Sequence, residues 1–163
     1  MWKPAFPNVA GRVNLKGCFA GWLRDSFHRF AEVTVRFMDL GSRSNSEPKN
    51  FSDSTALLDC LRTAVVTRPP FFCEITSSAA TKLLVGVGQF GCVQYSTTDG
   101  EPPYWLAVYR NDAWETDELS FLFEGEATPV ALKNTMPFEI VELVIRHFCA
   151  TGERSADVSW EQI

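Results

Sequence analysis

The sequence predicts an α+β fold, a mostly antiparallel β-sheet with two main helices packed on it, preceded by an N-terminal extension. Segments in which polar and apolar residues alternate, as is typical of half-buried strands, recur along the chain. Two longer segments instead repeat their apolar residues every three or four positions, which is the period of a helix. With 163 residues, 45% of them apolar, the chain has the material for one domain with a substantial core. These observations favour helices on one face of a sheet.

Residues 1–30 are predicted to form the extension, and residues 31–163 a single α+β domain. The extension is interrupted by prolines and glycines, and only residues 18–31 have a helical pattern. Its charge also differs from that of the rest of the chain. Residues 1–49 carry eight Lys or Arg against four Asp or Glu, a net +4, whereas residues 50–163 carry seven against sixteen, a net −9.

The domain is predicted to begin with a strand over residues 32–37, where polar and apolar side chains alternate. Residues 41–50 are polar without periodicity and are predicted to be a loop. A helix then begins near Asp53, whose carboxylate is a good N-cap, and it ends before Pro69-Pro70. Its buried face is predicted to contain Leu57, Leu58, Leu61 and Val65.

Six strands are predicted after this helix. The first covers residues 71–76, and the next two form a hairpin whose turn contains Gly88 and Gly91. The remaining three cover residues 104–109, 119–123 and 129–132.

A second helix is predicted from Pro137 to about residue 150, because proline is tolerated in a first turn and Gly152 suits a left-handed stop. Glu142 and Arg146 have the spacing of a helical ion pair. A last strand is predicted over residues 157–160. The buried stripe of this helix is predicted to contain Phe138, Val141, Ile145 and Phe148.

Composition excludes several classes of protein. A charged fraction of 21% with 45% apolar residues is not that of a disordered chain. No apolar stretch approaches the roughly 18 residues of a membrane span, and a net charge of −5 disfavours nucleic acid as a direct ligand. The five cysteines include no C-x-x-C spacing, which argues against a zinc site or a disulfide framework. We expect a cytoplasmic protein without metal or cofactor.

One glycine-rich segment matches the glycine spacing of a dinucleotide-binding motif but lacks the helix that the motif requires. Gly86, Gly88 and Gly91 have the G-x-G-x-x-G spacing, but the motif requires a helix to open at the third glycine. The residues that follow, 92–95, are strand-like. We therefore assign these glycines to a hairpin turn and expect them to adopt positive φ.

The sequence contains no recognisable catalytic group. His28 and His147 are the two histidines, and neither has a Cys or Asp placed locally to suggest a relay. Both are interpreted as packing or surface residues. No catalytic residue is predicted.

The densest charge lies between residues 99 and 126, a segment that contains eight acidic residues and one basic residue, Arg110, for a net charge of −7. Tyr104, Trp105 and Trp114 are interleaved with these acids. Exposed aromatics that anchor and acids that steer are typical of a surface that recognises a basic protein. The alternative is that the tryptophans lie in the core and the acids only solubilise the chain.

Two short motifs flank the second predicted helix. Pro137-Phe138-Glu139 opens it, and Trp160-Glu161 lies near the C-terminus. With the glycine-bearing hairpin over residues 84–95, they give residues 31–163 a pattern that resembles the Immunity protein 1 family, antidotes of bacterial polymorphic toxin systems.

The resemblance implies an α+β protein without catalytic activity that binds a cognate toxin domain and neutralises it. The toxins most associated with the family resemble nucleic-acid deaminases. Phe138 and Trp160 are then expected in the core, Glu139 near the free N–H groups of the helix's first turn, and Glu161 in a cap or an internal pair.

The toxin contact is predicted on the acidic segment from Asp112 to Glu126, because a toxin that acts on nucleic acid needs a basic active-site cleft. Trp114 is the predicted anchor. Two alternatives stay open: an adaptor that binds a different protein, and a small α+β enzyme or ligand binder. The predicted contact residues are Trp105, Asp112, Trp114, Glu115, Asp117, Glu118, Glu124 and Glu126.

Overall fold

A computed structural model of the chain describes residues 32–38, 47–109 and 117–163. The predicted α+β class is confirmed. The helix expected within residues 18–31 lies outside the described residues. The described helices are α1 Ser54–Thr67 and α2 Phe138–Thr151, and the described strands are β1 Val33–Phe37, β2 Lys49–Phe51, β3 Phe71–Ser77, β4 Thr81–Val87, β5 Phe90–Thr97, β6 Trp105–Val108, β7 Glu118–Phe123, β8 Glu126–Ala131, β9 Met136–Pro137 and β10 Ser159–Gln162.

Seven strands lie side by side in the order β10, β6, β5, β4, β3, β1, β2. Every neighbouring pair in this series is antiparallel, as predicted. The β7–β8 hairpin is attached to the series where Leu122 pairs with Phe71 of β3, and β9 pairs with the start of β5. A short 3-10 turn, Leu132–Asn134, joins β8 to β9.

The sheet is covered on both faces. Both helices pack on one face, where apolar residues of β1, β3, β4 and β5 form what we call the helix-side core. The β7–β8 hairpin covers part of the other face. There Met38, Phe72, Cys92 and Phe121 form a smaller hairpin-side core.

α1 begins where the sequence predicts. Asp53 is the N-cap, and its carboxylate accepts hydrogen bonds from the backbone N–H groups of Thr55 and Ala56 at 3.0 and 3.4 Å. The predicted leucines are buried. Ala64 is buried with them, whereas Val65 is only half-buried, because α1 presents its i, i+4 and i+7 positions to the sheet.

α2 ends at Gly152, which adopts the left-handed conformation with φ 73° as predicted, and its predicted stripe is buried. The predicted partner of Glu142 is different in the structure. Its carboxylate accepts two hydrogen bonds of 2.6 Å from the guanidinium of Arg62 on α1. The fork of an arginine fits a carboxylate better than an i,i+4 pair along one helix does, and the side-by-side helices bring the two together.

The β4–β5 hairpin is present, but the expectation of positive φ at its three glycines is wrong. They are needed for space. A Cβ on Gly86 would lie 2.6 Å from the Cys92 sulfur and 2.9 Å from the Phe121 ring. A Cβ on Gly91 would collide with the Gly86 carbonyl oxygen and lie 2.9 Å from Val141 of α2.

Several predicted boundaries differ from the structure; β8, for example, begins at Glu126 rather than at residue 129. The end of the expected loop forms strand β2, which pairs with β1. The last strand begins at Ser159 rather than at residue 157, because Ser155 forms a turn in which its hydroxyl contacts both the carboxylate and the backbone N–H of Asp157. In the described part of the chain, neither helix is long and apolar enough to cross a membrane.

Candidate functional site

The five predicted contact residues that the structure describes lie in three places, namely the two ends of the β7–β8 hairpin and strand β6. Asp112, Trp114 and Glu115 lie outside the described residues. The other acids occupy the two ends of the β7–β8 hairpin, and Trp105 lies on β6. A six-residue strand is roughly 20 Å long, so the two ends of the hairpin form separate charged surfaces.

Asp117 and Glu118 lie at the base of the hairpin, where the chain leaves residues 110–116. The backbone N–H of Leu132 donates to the Asp117 carbonyl oxygen at 2.7 Å, and Glu118 pairs with Ala131. Both acidic residues are exposed. We call this end the hairpin base.

Glu124 and Glu126 lie at the hairpin tip, on either side of Gly125. Glu124 has a positive φ of 51°, and its backbone N–H donates to the Met38 carbonyl oxygen at 2.6 Å. The tip therefore lies beside the end of β1. Four steps along the sheet separate β1 from β6, or roughly 19 Å at the usual strand spacing.

Trp105 lies at the opposite end of the strand order from the hairpin tip. It shares a face of β6 with Ala107, which is buried in the helix-side core. The hairpin base lies on the other face, but at the same end of the sheet. Leu132 bonds to that base, and the next residue, Lys133, has its ammonium 3.9 Å from the Glu161 carboxylate on β10.

The motif residues around α2 have structural environments. Pro137 precedes the first turn, Phe138 is buried with 7% of its surface exposed, and Glu139 is the acidic residue of that turn. Trp160 is half-buried, and its indole N–H donates to the Ser155 carbonyl oxygen at 2.8 Å. Glu161 lies beside Lys133.

Trp105 belongs to a group of side chains that the sequence did not predict. Tyr95, Trp105, Arg154 and Trp160 line a cleft of about 450 Å³, which we call the aromatic cleft. The Arg154 guanidinium carbon lies 3.8 Å from the centre of a Trp105 ring and 5.9 Å from the Tyr95 ring. The Tyr95 and Trp160 rings meet edge to face at 6.3 Å. Alternation places each aromatic on a strand face, but only the register of β5, β6 and β10 brings them together.

A second cavity, of about 380 Å³, lies between the sheet and β8. Its lining is mostly apolar and includes Phe72, Leu84 and Phe123. Cys92 also lines it, and burial raises the pKa of that thiol to about 12, so the group is neutral and weakly nucleophilic at neutral pH. The cavity suits apolar burial rather than proton transfer.

Among the described cysteines, Cys60, Cys92 and Cys149 form no disulfide. Burial raises the pKa of the Cys149 thiol to about 12 as well. Within residues 32–38, 47–109 and 117–163, no three His, Cys, Asp or Glu side chains converge as a metal-binding group. His147 lies half-buried on α2, and His28 falls outside the described residues.

Comparison with known families gives one match. A family model described as Immunity protein Imm1 matches residues 53–162, which is 110 of the 163 residues. The matched region begins at the N-cap of α1 and ends with β10. It therefore includes both helices, the β7–β8 hairpin and the aromatic cleft. A search of curated proteins gives no match.

Proposed function

The chain belongs to the Imm1 immunity protein family, and on this premise we propose that it binds a cognate bacterial toxin and neutralises it by direct contact over the toxin's active site. The match over residues 53–162 carries the proposal. Such a role requires affinity for the toxin and no chemistry from this chain. It is exercised in the cytoplasm, where the toxin would reach its target.

The toxin that fits best is one that acts on nucleic acid, most simply a deaminase-like domain. Any such toxin needs a positively charged cleft for phosphates. The net −9 of residues 50–163 supports this pairing, because opposite charge accelerates association and disfavours wrong partners.

The contact surface that we propose lies around the β10 and β6 end of the sheet. The hairpin base contributes Asp117 and Glu118, continuous in sequence with Asp112, Trp114 and Glu115. Trp105 approaches the same end from the other face of the sheet. A standard interface covers about 800 Å² of each partner and is wide enough to include both. The tip acids, Glu124 and Glu126, then lie at its margin or beyond it.

The direct test is co-expression with the toxin encoded by the neighbouring reading frame. We expect cells that make the active toxin to survive only when they also make the immunity protein, and we expect a tagged immunity protein to pull the toxin down as a stable complex. An inactive toxin variant is the matched control for expression. Survival without any complex, or a complex with a fully active toxin, would contradict the proposal.

A further inference from the structure

The aromatic cleft contains a guanidinium whose position is fixed before any partner arrives. Arg154 is exposed, yet it stacks on the Trp105 ring at 3.8 Å. Stacking of this kind fixes the plane of the guanidinium and leaves its N–H groups available at the edge. An arginine held this way loses little further side-chain entropy when it binds an acceptor.

The other polar side-chain groups of the cleft that the contacts account for are bonded within the protein. The Tyr95 hydroxyl donates to the Gly152 carbonyl oxygen at 3.5 Å, and the Trp160 indole N–H is bonded to the Ser155 carbonyl oxygen. Among the described residues, Arg154 has no carboxylate within ion-pair distance. The cleft therefore offers a cationic fork, and the unmodified protein group that pairs with both of its N–H donors is a carboxylate.

A nearby charge limits how acidic the occupant can be. Glu153 lines the cleft together with Arg154 and is exposed. A run of acidic residues would be repelled by this carboxylate, whereas a single carboxylate on Arg154 gains more than it loses.

Next to the cleft, β10 has an open edge in the described part of the chain, since its one strand partner there is β6. The backbone N–H of Ile163 donates to the Tyr104 carbonyl oxygen at 3.0 Å. Because hydrogen-bonding direction alternates along an antiparallel strand, the backbone groups of Trp160 and Gln162 face away from β6. This edge can pair with an extended segment of another protein.

We infer that the open edge of β10 and the aromatic cleft together form a docking site for an extended segment of the toxin, one of whose residues places an Asp or Glu carboxylate on Arg154. The inference rests on the proposed function. The toxin is bound through strand addition at the edge, and the carboxylate in the cleft selects the register.

The first test measures binding of the intact immunity protein to an inactive form of the toxin from the neighbouring reading frame. Arg154→Ala should weaken the complex roughly 10- to 100-fold, the range for a lost hydrogen bond to a charged group. Arg154→Lys, which keeps the charge and loses the fork, should give a smaller loss. Arg146→Ala removes the same charge from an exposed position on α2 and should bind like wild type.

The second test identifies the carboxylate. Each surface Asp or Glu of the toxin is changed to Asn or Gln and combined with Arg154→Ala in a double-mutant cycle. One toxin residue should show coupling to Arg154 and the others none. Wild-type binding together with an unaffected Arg154→Ala variant, or a cycle without coupling, would overturn this inference and leave the proposed function intact. Absence of wild-type binding would overturn both.

Discussion

Phe138 shows how a family motif can act through stability. Its ring is buried in the helix-side core at the first residue of α2, next to the exposed Glu139. Both residues belong to the Pro-Phe-Glu motif, but they differ in what surrounds them. The buried ring supports the packing of the whole helix, whereas the carboxylate lies near the free N–H groups of the first turn.

Phe138→Ala should therefore lower the free energy of unfolding by roughly 3–5 kcal/mol, the usual cost of removing a buried aromatic ring. Urea denaturation followed by tryptophan fluorescence measures it. Glu139→Ala is the matched control and should cost far less. A Phe138→Ala variant that unfolds at the wild-type urea concentration but fails to bind toxin would place the ring in the interface instead.

Asp53 gives a second residue-scale prediction, on pH. The hydrogen bond from the Thr55 backbone N–H is the largest cause that lowers the pKa of the Asp53 carboxyl below its ordinary 3.8. A depressed folded-state pKa means that the ionised cap stabilises the fold above the unfolded pKa, and that this stability is lost as pH falls through the folded-state value.

We therefore expect Asp53→Ala to be less stable than wild type at pH 7 and the difference to shrink below about pH 4. Thermal melts of both proteins from pH 7 to pH 2 measure it. A difference that is constant across this range would mean that the carboxylate charge contributes nothing to the cap.

At the scale of elements, the β7–β8 hairpin separates two pairs of acids that the sequence presents as one cluster. The two acidic residues at the hairpin base, Asp117 and Glu118, lie at the β10 and β6 end of the sheet. The two acidic residues at the hairpin tip, Glu124 and Glu126, lie beside the end of β1. The two pairs carry equal charge on the same element, so each is a control for the other.

Changing both Asp117 and Glu118 at the hairpin base to Lys should slow association with the toxin on the order of tenfold at low ionic strength. It should also weaken the dependence of the association rate on salt. The same change at the tip should have a clearly smaller effect. Stopped-flow association at two salt concentrations measures both. A larger effect at the tip would move the interface to the β1 side of the molecule.

At the scale of the whole molecule, the sheet has a core on each of its two faces. Helices cover one face of the sheet, the hairpin covers part of the other, and the half-buried aromatics of the cleft gather around Arg154 at the β10 and β6 end. His147 is half-buried on α2. Nothing in the proposed mechanism uses its proton.

His147→Gln should therefore leave the protection of toxin-expressing cells unchanged, provided that the melting temperature is also unchanged. Survival assays with matched expression levels measure the effect. Lost protection with normal stability and normal toxin binding would reveal chemistry in this chain that the proposal excludes.

The sequence by itself determined the class of fold and most of the elements. Residue periodicity is local information, so strand alternation, the α1 cap at Asp53 and the left-handed stop at Gly152 could all be predicted. The two motifs around α2 and the glycine-bearing hairpin over residues 84–95 were together sufficient to predict the family. These features depend on neighbours within a few positions along the chain.

The tertiary structure alone decided which distant residues meet. It gave Glu142 a partner on α1, separated the acids of one sequence cluster by the length of a hairpin, and gathered Tyr95, Trp105 and Trp160 around Arg154. Periodicity states which face a side chain takes, but strand order and register depend on packing between segments far apart in sequence. For that reason the sequence predicted an acidic recognition surface and could not predict the aromatic cleft.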